Sequence, residues 1–449
     1  MKRKIYNKIK EWKECRAGRS ALLIDGARRI GKSWIVEEFA RNEYKSYILI
    51  DFNNVQSNIT ELFEQCLTDL DTFFMRLSIY TDVQLYPRES VIIFDEVQMF
   101  PKARAAIKYL VKDGRYDYIE TGSLVSINHN VKDIVIPSEE TRIDMFPMDL
   151  EEFMWALGKD MIFDFIKTQF EKKSPLGQGL HRQMMEILRT YLLVGGMPQA
   201  VLSYIERKDI RDVDATKRDI LSLYRNDISK YAGRFAPIVT KIFDNIPGLL
   251  QQHEKRFRPT KIRKGSKMRE FTEPIFWLDE SRVVNFCYSV TEPSVGLALN
   301  QDNSKLKLYM ADTGLLVSMA FNSAELEHGG YEKILRGKLE FNKGMLVENL
   351  VAQLLRSSGH PLYFYTCSSR ENAEDRMEID FLIRKPQITS RHNICPIEVK
   401  SSSRYTLTSL QKFNKKFESY LGQSYVLHTK DLEIKDDVIY LPLYMAGLL

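Results

Sequence analysis

Residues Leu22 to Trp34 read LLIDGARRIGKSW. An apolar run stops at Gly26, four residues pass, and Gly31-Lys32-Ser33 follows, which is the spacing G-x-x-x-x-G-K-[ST]. The flanks fit that spacing. Ala21 to Ile24 reads as a short buried strand, and after Ser33 the run WIVEEFA sets Trp34, Ile35, Phe39 and Ala40 at helical intervals. Strand, loop and helix in that order form a phosphate cradle. Glycines let backbone N–H groups curl around phosphate oxygens, and the helix N-terminus adds a positive end. Candidate nucleotide-binding residues are Gly26, Ala27, Arg28, Arg29, Ile30, Gly31, Lys32, Ser33 and Trp34. Lys32 would reach the outer phosphates and the Ser33 hydroxyl would hold Mg2+. The competing reading is a basic turn ahead of a helix.

Two later segments favour the cradle. Ser90 to Glu96 reads SVIIFDE, a continuous apolar strand ending in adjacent acids. In a parallel sheet such strands are buried and function gathers at their carboxyl ends. Asp95 would bind Mg2+ through water, and Glu96 would polarise the attacking water; the alternative is an acidic turn. Asp117 to Ser123 reads DYIETGS, a strand whose tip offers Thr121 and Ser123 to the outer phosphate, or else a cap or turn.

The 449 residues imply two to four domains, and 44% hydrophobic with 28% charged content fits a soluble globular protein. A net charge of +5 permits an anionic partner without requiring one. The five cysteines, Cys15, Cys66, Cys287, Cys367 and Cys395, lie far apart and lack metal-ligand spacing, which fits a reduced, cytoplasmic setting. The basic start MKRKIYNKIKEWKEC reads as an amphipathic helix and not as a secretory signal, and no apolar run approaches a membrane span.

GARRIGKS, IIFDEVQ, the TGS tip, RIDMFPMDLEEF and YLLVGGMPQAV together resemble the AAA-type ATPases that carry a DUF4143 C-terminal region. These are relatives of the archaeal-type ATPases and, more distantly, of the signal-transducing NTPases. The resemblance extends over nearly the whole chain and implies ATP as the nucleotide, with possible homo-oligomers. It also implies that Arg142, in TRIDMFPM, acts as an arginine finger or sensor, within its own subunit or a neighbour's. The family often has glycine before this arginine, where Thr141 stands here. The turn Gly195 to Pro198 resembles a lid turn near the adenine, which makes Pro198 a nucleotide candidate; the alternative is a helix-breaking turn.

From Asp149 to Asn226 the pattern is helical, as for a lid. Asp149 ahead of LEEF is a cap-then-acid start, and MMEILRTYLLV is a second helix. VTKIFDNIPGLL reads as a helix broken near Pro247. Gln251 to Glu270 then holds eight bases against two Glu: Lys255, Arg256, Arg258, Lys261, Arg263, Lys264, Lys267 and Arg269. FTEPIFWLDESRVV follows and resembles a winged helix. Such a basic turn beside a helix can lie on duplex phosphates, although a solvated face or an acidic partner domain explains it equally. KLKLYMADTGLL reads as a strand turning into a helix at Asp312, a structural element.

The last third carries a different pattern. GMLVENLVAQLL is a helix with Glu348 at the edge of its apolar stripe. MEIDFLI alternates, with Asp380 on one face, and PIEVK sets Glu398 and Lys400 about 7 Å apart on one side of a strand. Three carboxylates and one ammonium of this kind suit Mg2+-dependent phosphodiester cleavage, with Mn2+ a further candidate ion. The series E…D-x(17)-E-x-K resembles the PD-(D/E)xK nuclease core, with Ile379 in place of its proline. The alternative is a pair of half-exposed strands with a surface ion pair. Arg404 and Lys412 in the following segment would meet phosphates, or are ordinary surface.

The sequence thus predicts an α/β protein: a P-loop AAA-type parallel-sheet core over 1–148, a helical lid over 149–235, a winged-helix-like domain over 236–325, and a restriction-endonuclease-like α/β domain over 326–449. The function it points to is ATP hydrolysis coupled to binding or processing of double-stranded DNA. The alternative is a signalling or defence switch whose C-terminal domain binds a partner without cleaving.

Overall fold

The computed structural model describes residues 1–122, 138–252, 254–294, 296–325, 329–336, 343–367, 375–385, 393–402 and 404–449. Ser123 lies outside them. The chain divides into two compact units, Met1–Phe146 with Glu280–Arg282, and Pro147–Asp279 with Val283–Leu449.

The first unit is a parallel five-stranded sheet in the order β2-β3-β4-β1-β5, formed by β1 (Ala21–Asp25), β2 (Ser46–Asp51), β3 (Ser90–Asp95), β4 (Asp117–Gly122) and β5 (Glu140–Asp144). Every residue of β1, β3 and β4 is buried, which fits the apolar runs of β1 and β3, whereas β4 also buries Asp117, Glu120 and Thr121. The register sets Ile24 beside Thr121, and Asp25 beside Gly122 and Asp144, so the strand ends that carry polar residues share one edge. Helices α1 (Ile5–Cys15), α2 (Lys32–Glu43), α3 (Ser57–Gln65), α4 (Leu70–Thr81) and α5 (Pro101–Asp113) surround the sheet. One face is closed by an aromatic cluster in which Phe52, Phe63, Phe73, Phe94 and Phe100 meet mostly edge to face.

The second unit is built on an eight-stranded mixed sheet, β12-β13-β11-β10-β9-β8-β6-β7. Its strands are β6 (Val284–Val290), β7 (Gln301–Met310), β8 (Leu362–Cys367), β9 (Met377–Arg384), β10 (Ile394–Val399), β11 (Ser424–His428), β12 (Glu433–Lys435) and β13 (Val438–Pro442). β6 pairs antiparallel with β7 and parallel with β8. The expected boundary at residue 325 therefore falls inside one sheet. The lid, winged-helix-like and nuclease-like regions are not three separate bodies but parts of one unit, because β6 finds its second partner more than seventy residues downstream.

Helices of this unit include α6 (Leu150–Ala156), α7 (Gln178–Val194), α8 (Ile210–Tyr231), α9 (Ala236–Gln251), α10 (Thr313–Ala320) and α11 (Lys343–Ser357). Helix α6 opens on a reciprocal cap: the Asp149 carboxylate accepts from Glu152 N at 2.9 Å, and Glu152 accepts from Asp149 N at 3.2 Å. Helix α9 does not break at Pro247 as its sequence suggests. Ile246, Leu249 and Leu250 are buried on both sides of the proline, and that packing outweighs the roughly 3 kcal/mol a helical proline costs.

The sequence YLLVGGMP meets YMADTG inside this unit. Asp312 caps α10 through Leu315 N at 2.9 Å and also accepts from Gly196 N. A Cβ on Gly195 would lie 2.3 Å from the Asp312 carboxylate, and one on Gly196 would lie 2.0 Å from Met148 O. Only glycine allows that approach. Gln353 and Tyr191 extend the network, and Lys217 donates to Leu193 O at 2.6 Å and Gly314 O at 3.2 Å. The GGMP turn, with Pro198 opening the next helix, thus has a packing role of its own.

Candidate functional site

The loop between β1 and α2 is held at both ends. A Cβ on Gly26 would stand 2.4 Å from Met145 O, so the loop leaves the sheet pressed against the end of β5. Gly31 has φ 91° and Arg29 φ 67°, both left-handed, which folds the loop back so that α2 starts at Lys32. Arg3, ahead of α1, is buried; its guanidinium donates to Ile30 O at 2.8 Å and to Phe146 O at 2.7 Å. Nothing local to Arg3 marks this clamp, because its partners are 27 and 143 residues away.

Lys32 is 6% exposed, and its Nζ donates to Gly26 O at 2.8 Å and Ala27 O at 2.9 Å. Burial lowers its ammonium pKa, opposed by Glu96, Asp25 and Asp95 nearby. An ammonium turned inward onto its own loop suits a loop built to enclose an anion. Ser33 Oγ donates to Asp95 Oδ1 at 2.8 Å, and Thr121 Oγ1 donates to the same oxygen. Thr121 Oγ1 in turn accepts from Glu96 N at 3.3 Å. Burial raises the Asp95 pKa, with the two hydroxyls working against that shift. Glu96 sits at φ 54°, a strained left-handed position, and its carboxylate accepts from Gln98. The structure therefore gathers Lys32, Ser33, Asp95, Glu96 and Thr121 at the ends of β1, β3 and β4. A hydroxyl and a carboxylate oxygen in direct contact beside a buried ammonium fit a Mg2+-nucleotide. Trp34 points outward, 45% exposed.

Residues 18–154 match the family model for an AAA domain. That match spans most of the first unit and ends inside α6. Residues 185–326 match a domain of unknown function, DUF8612, and residues 343–445 match another, DUF4143. No curated protein matches this chain. Among solved structures, the Saccharomyces cerevisiae Hsp104–ADP complex is 13% identical, with a TM-score of 0.27 over 78% of this chain and 44% of that one. Cdc6p from Pyrobaculum aerophilum is 10% identical, with a TM-score of 0.25 over 74% of this chain and 92% of that one. This chain thus spans less than half of the Hsp104 chain. Among the described residues no helix is long and apolar enough to cross a membrane.

Arg142, the finger or sensor position in the resemblance, lies on β5. Its guanidinium pairs with Asp25 at 2.5 Å and with Asp144 at 3.5 Å. Asp25 is fully buried directly before Gly26, and it also accepts from Arg282 Nε at 3.1 Å. The position marked by the resemblance is thus paired with a buried acid.

In the second unit Glu348 is 3% exposed, deeper than the stripe edge its helical position suggested. It is held there by Lys255, Tyr309 and Lys307, the last at 3.5 Å. Burial alone would raise the Glu348 pKa, but Lys307 and Lys255 bring it to about 2. Lys307 is fully buried on β7 and also reaches Glu378 on β9 at 2.7 Å. Asp380 accepts from Val399 N at 2.8 Å, and Glu398 pairs with Lys400 at 2.9 Å. Burial and the charge of Asp380 push Glu398 up to about 8, while burial and Glu348 raise Asp380. The nuclease-like residues are thus neighbours. Even so, the described residues contain no group of three or more His, Cys, Asp or Glu placed to hold a metal ion.

The basic segment splits. Lys255 turns inward to Glu348, Arg256 and Arg258 pair with Glu254, and Arg263 pairs with Glu270. The side chains of Lys261, Lys264, Lys267 and Arg269 are exposed, with no acidic partner among the described residues.

Proposed function

We propose that the AAA domain binds ATP with Mg2+ and hydrolyses it. The observation that carries this reading is the convergence of Lys32, Ser33, Asp95 and Thr121 beside a glycine-flanked loop. In this reading Lys32 leaves the Gly26 and Ala27 carbonyls to meet the outer phosphates. Ser33 would hold the cation, Asp95 would hold it through water, and Glu96 would orient the attacking water. Thr121 positions Asp95 and contacts the outer phosphate. Magnesium supplies charge neutralisation at the phosphates. Arg142 works from its place beside Asp25, as a brace for the base of the loop.

We further propose that nucleotide state governs binding of a polyanion, double-stranded DNA, by the second unit. The exposed, acid-free set Lys261, Lys264, Lys267 and Arg269 supports this reading. ATP hydrolysis measured with and without duplex, single-stranded and structured DNA tests both readings. Hydrolysis that Lys32→Ala abolishes supports the first, and stimulation by duplex supports the second. Turnover unchanged in Lys32→Ala contradicts the first, and indifference to every DNA form contradicts the second.

A further inference from the structure

We propose that Lys307 and Lys255 occupy the place a divalent cation would need in the C-terminal acidic cluster, which makes that cluster a metal-independent centre whose charge is largely offset from within. The carboxylates involved are Glu348, Glu378, Asp380 and Glu398. A PD-(D/E)xK-type metal site keeps the oxygens of its acids open to hard cations, with the motif lysine alongside. Here every one of these acids already has a partner. Glu348 receives two ammoniums and the Tyr309 hydroxyl, Glu378 receives Lys307, Asp380 receives a backbone N–H, and Glu398 receives Lys400.

Lys307 is the decisive residue. It is fully buried, comes from β7 outside the helix-and-two-strand motif, and bridges Glu348 and Glu378 while its Nζ lies 4.8 Å from the centre of the Phe364 ring. A buried ammonium needs those carboxylates as much as they need it. Three ammoniums against four carboxylates leave one formal negative charge, so a dication would bring excess positive charge into a largely buried site. Lys255 supplies the second ammonium from the basic segment, which pins the start of that segment to the cluster.

Manganese titration of the nucleotide-free full chain, followed by the loss of the free Mn2+ electron paramagnetic resonance signal, tests this. Wild type and Asp380→Asn should bind Mn2+ alike, because any ion they hold lies elsewhere. The double variant Lys255→Ala/Lys307→Met, with folding checked by circular dichroism, should gain a Mn2+ site at least tenfold tighter than any in wild type. Adding Asp380→Asn to it should remove that site. Wild-type Mn2+ binding that Asp380→Asn abolishes overturns the proposal, as does a folded double variant that gains no site. Should the double variant not fold, the comparison of wild type with Asp380→Asn decides alone.

Discussion

Replacing Arg3 by alanine tests whether the phosphate loop is held from outside itself. Arg3 makes two short hydrogen bonds from a charged donor, to Ile30 O at 2.8 Å and Phe146 O at 2.7 Å. Bonds of this kind are worth about 1.5–3 kcal/mol each. The Ile30 bond is buried and would be lost in full, whereas water can partly replace the one to Phe146. The sum is about 3 kcal/mol, or a melting shift of about 6–12 °C for a unit of this size. Ile30 directly precedes Gly31 and Lys32, so a loosened loop should also weaken ATP by about tenfold, near 1.4 kcal/mol. Differential scanning fluorimetry without nucleotide and a fluorescent-ATP titration measure the two effects. Unchanged melting and affinity in Arg3→Ala would show that Ile30 O does not depend on the clamp, and the argument for an externally braced loop would fail.

Glu96→Gln should keep ATP affinity within about twofold while lowering turnover by about 100-fold, the range of one positioned general base; a wild-type rate would assign that work to another group. Reversing Lys261, Lys264 and Lys267 to Glu should weaken duplex binding and flatten its dependence on salt, read by fluorescence anisotropy; an unchanged slope removes that surface from the interface. Lys217 gives a pH test. Burial lowers its pKa from 10.5 to about 8, so between those values the unfolded chain binds more protons and stability rises with pH. The gain is at most about 1.4 kcal/mol per pH unit. Lys217→Met should lack that rise between pH 8 and 10.5, and an identical pH profile in both proteins contradicts the assignment.

The sequence was most legible where the chemistry is local. Gly26 to Ser33, the SVIIFD strand and the TG tip each lie within a short segment, and backbone geometry over a few residues dictates their form. The Asp149 cap and the Asp312 strand-to-helix turn were legible for the same reason. What could not be read depends on distant partners. Arg3 looked like part of a basic helix start, and its carbonyl partners are invisible in a linear pattern. Arg142 lies on a strand whose neighbour brings Asp25 beside it. The eight bases after Gln251 looked like one face, but Lys255 is drawn to Glu348, 93 residues on. The middle region looked like a separate domain because nothing local in β6 reveals that β8 will pair with it. Pro247 marked a helix end by the usual rule, and only buried contacts on both sides overrule it.

The most direct test is isothermal titration of Mg2+-ATP into the nucleotide-free full chain and into Lys32→Ala. The arrangement at β1, β3 and β4 predicts a single saturable site in the wild type, weakened by about 100-fold or more, near 2.7 kcal/mol, when the Lys32 ammonium is removed. Equal binding by the two proteins, or no heat from the wild type, contradicts it.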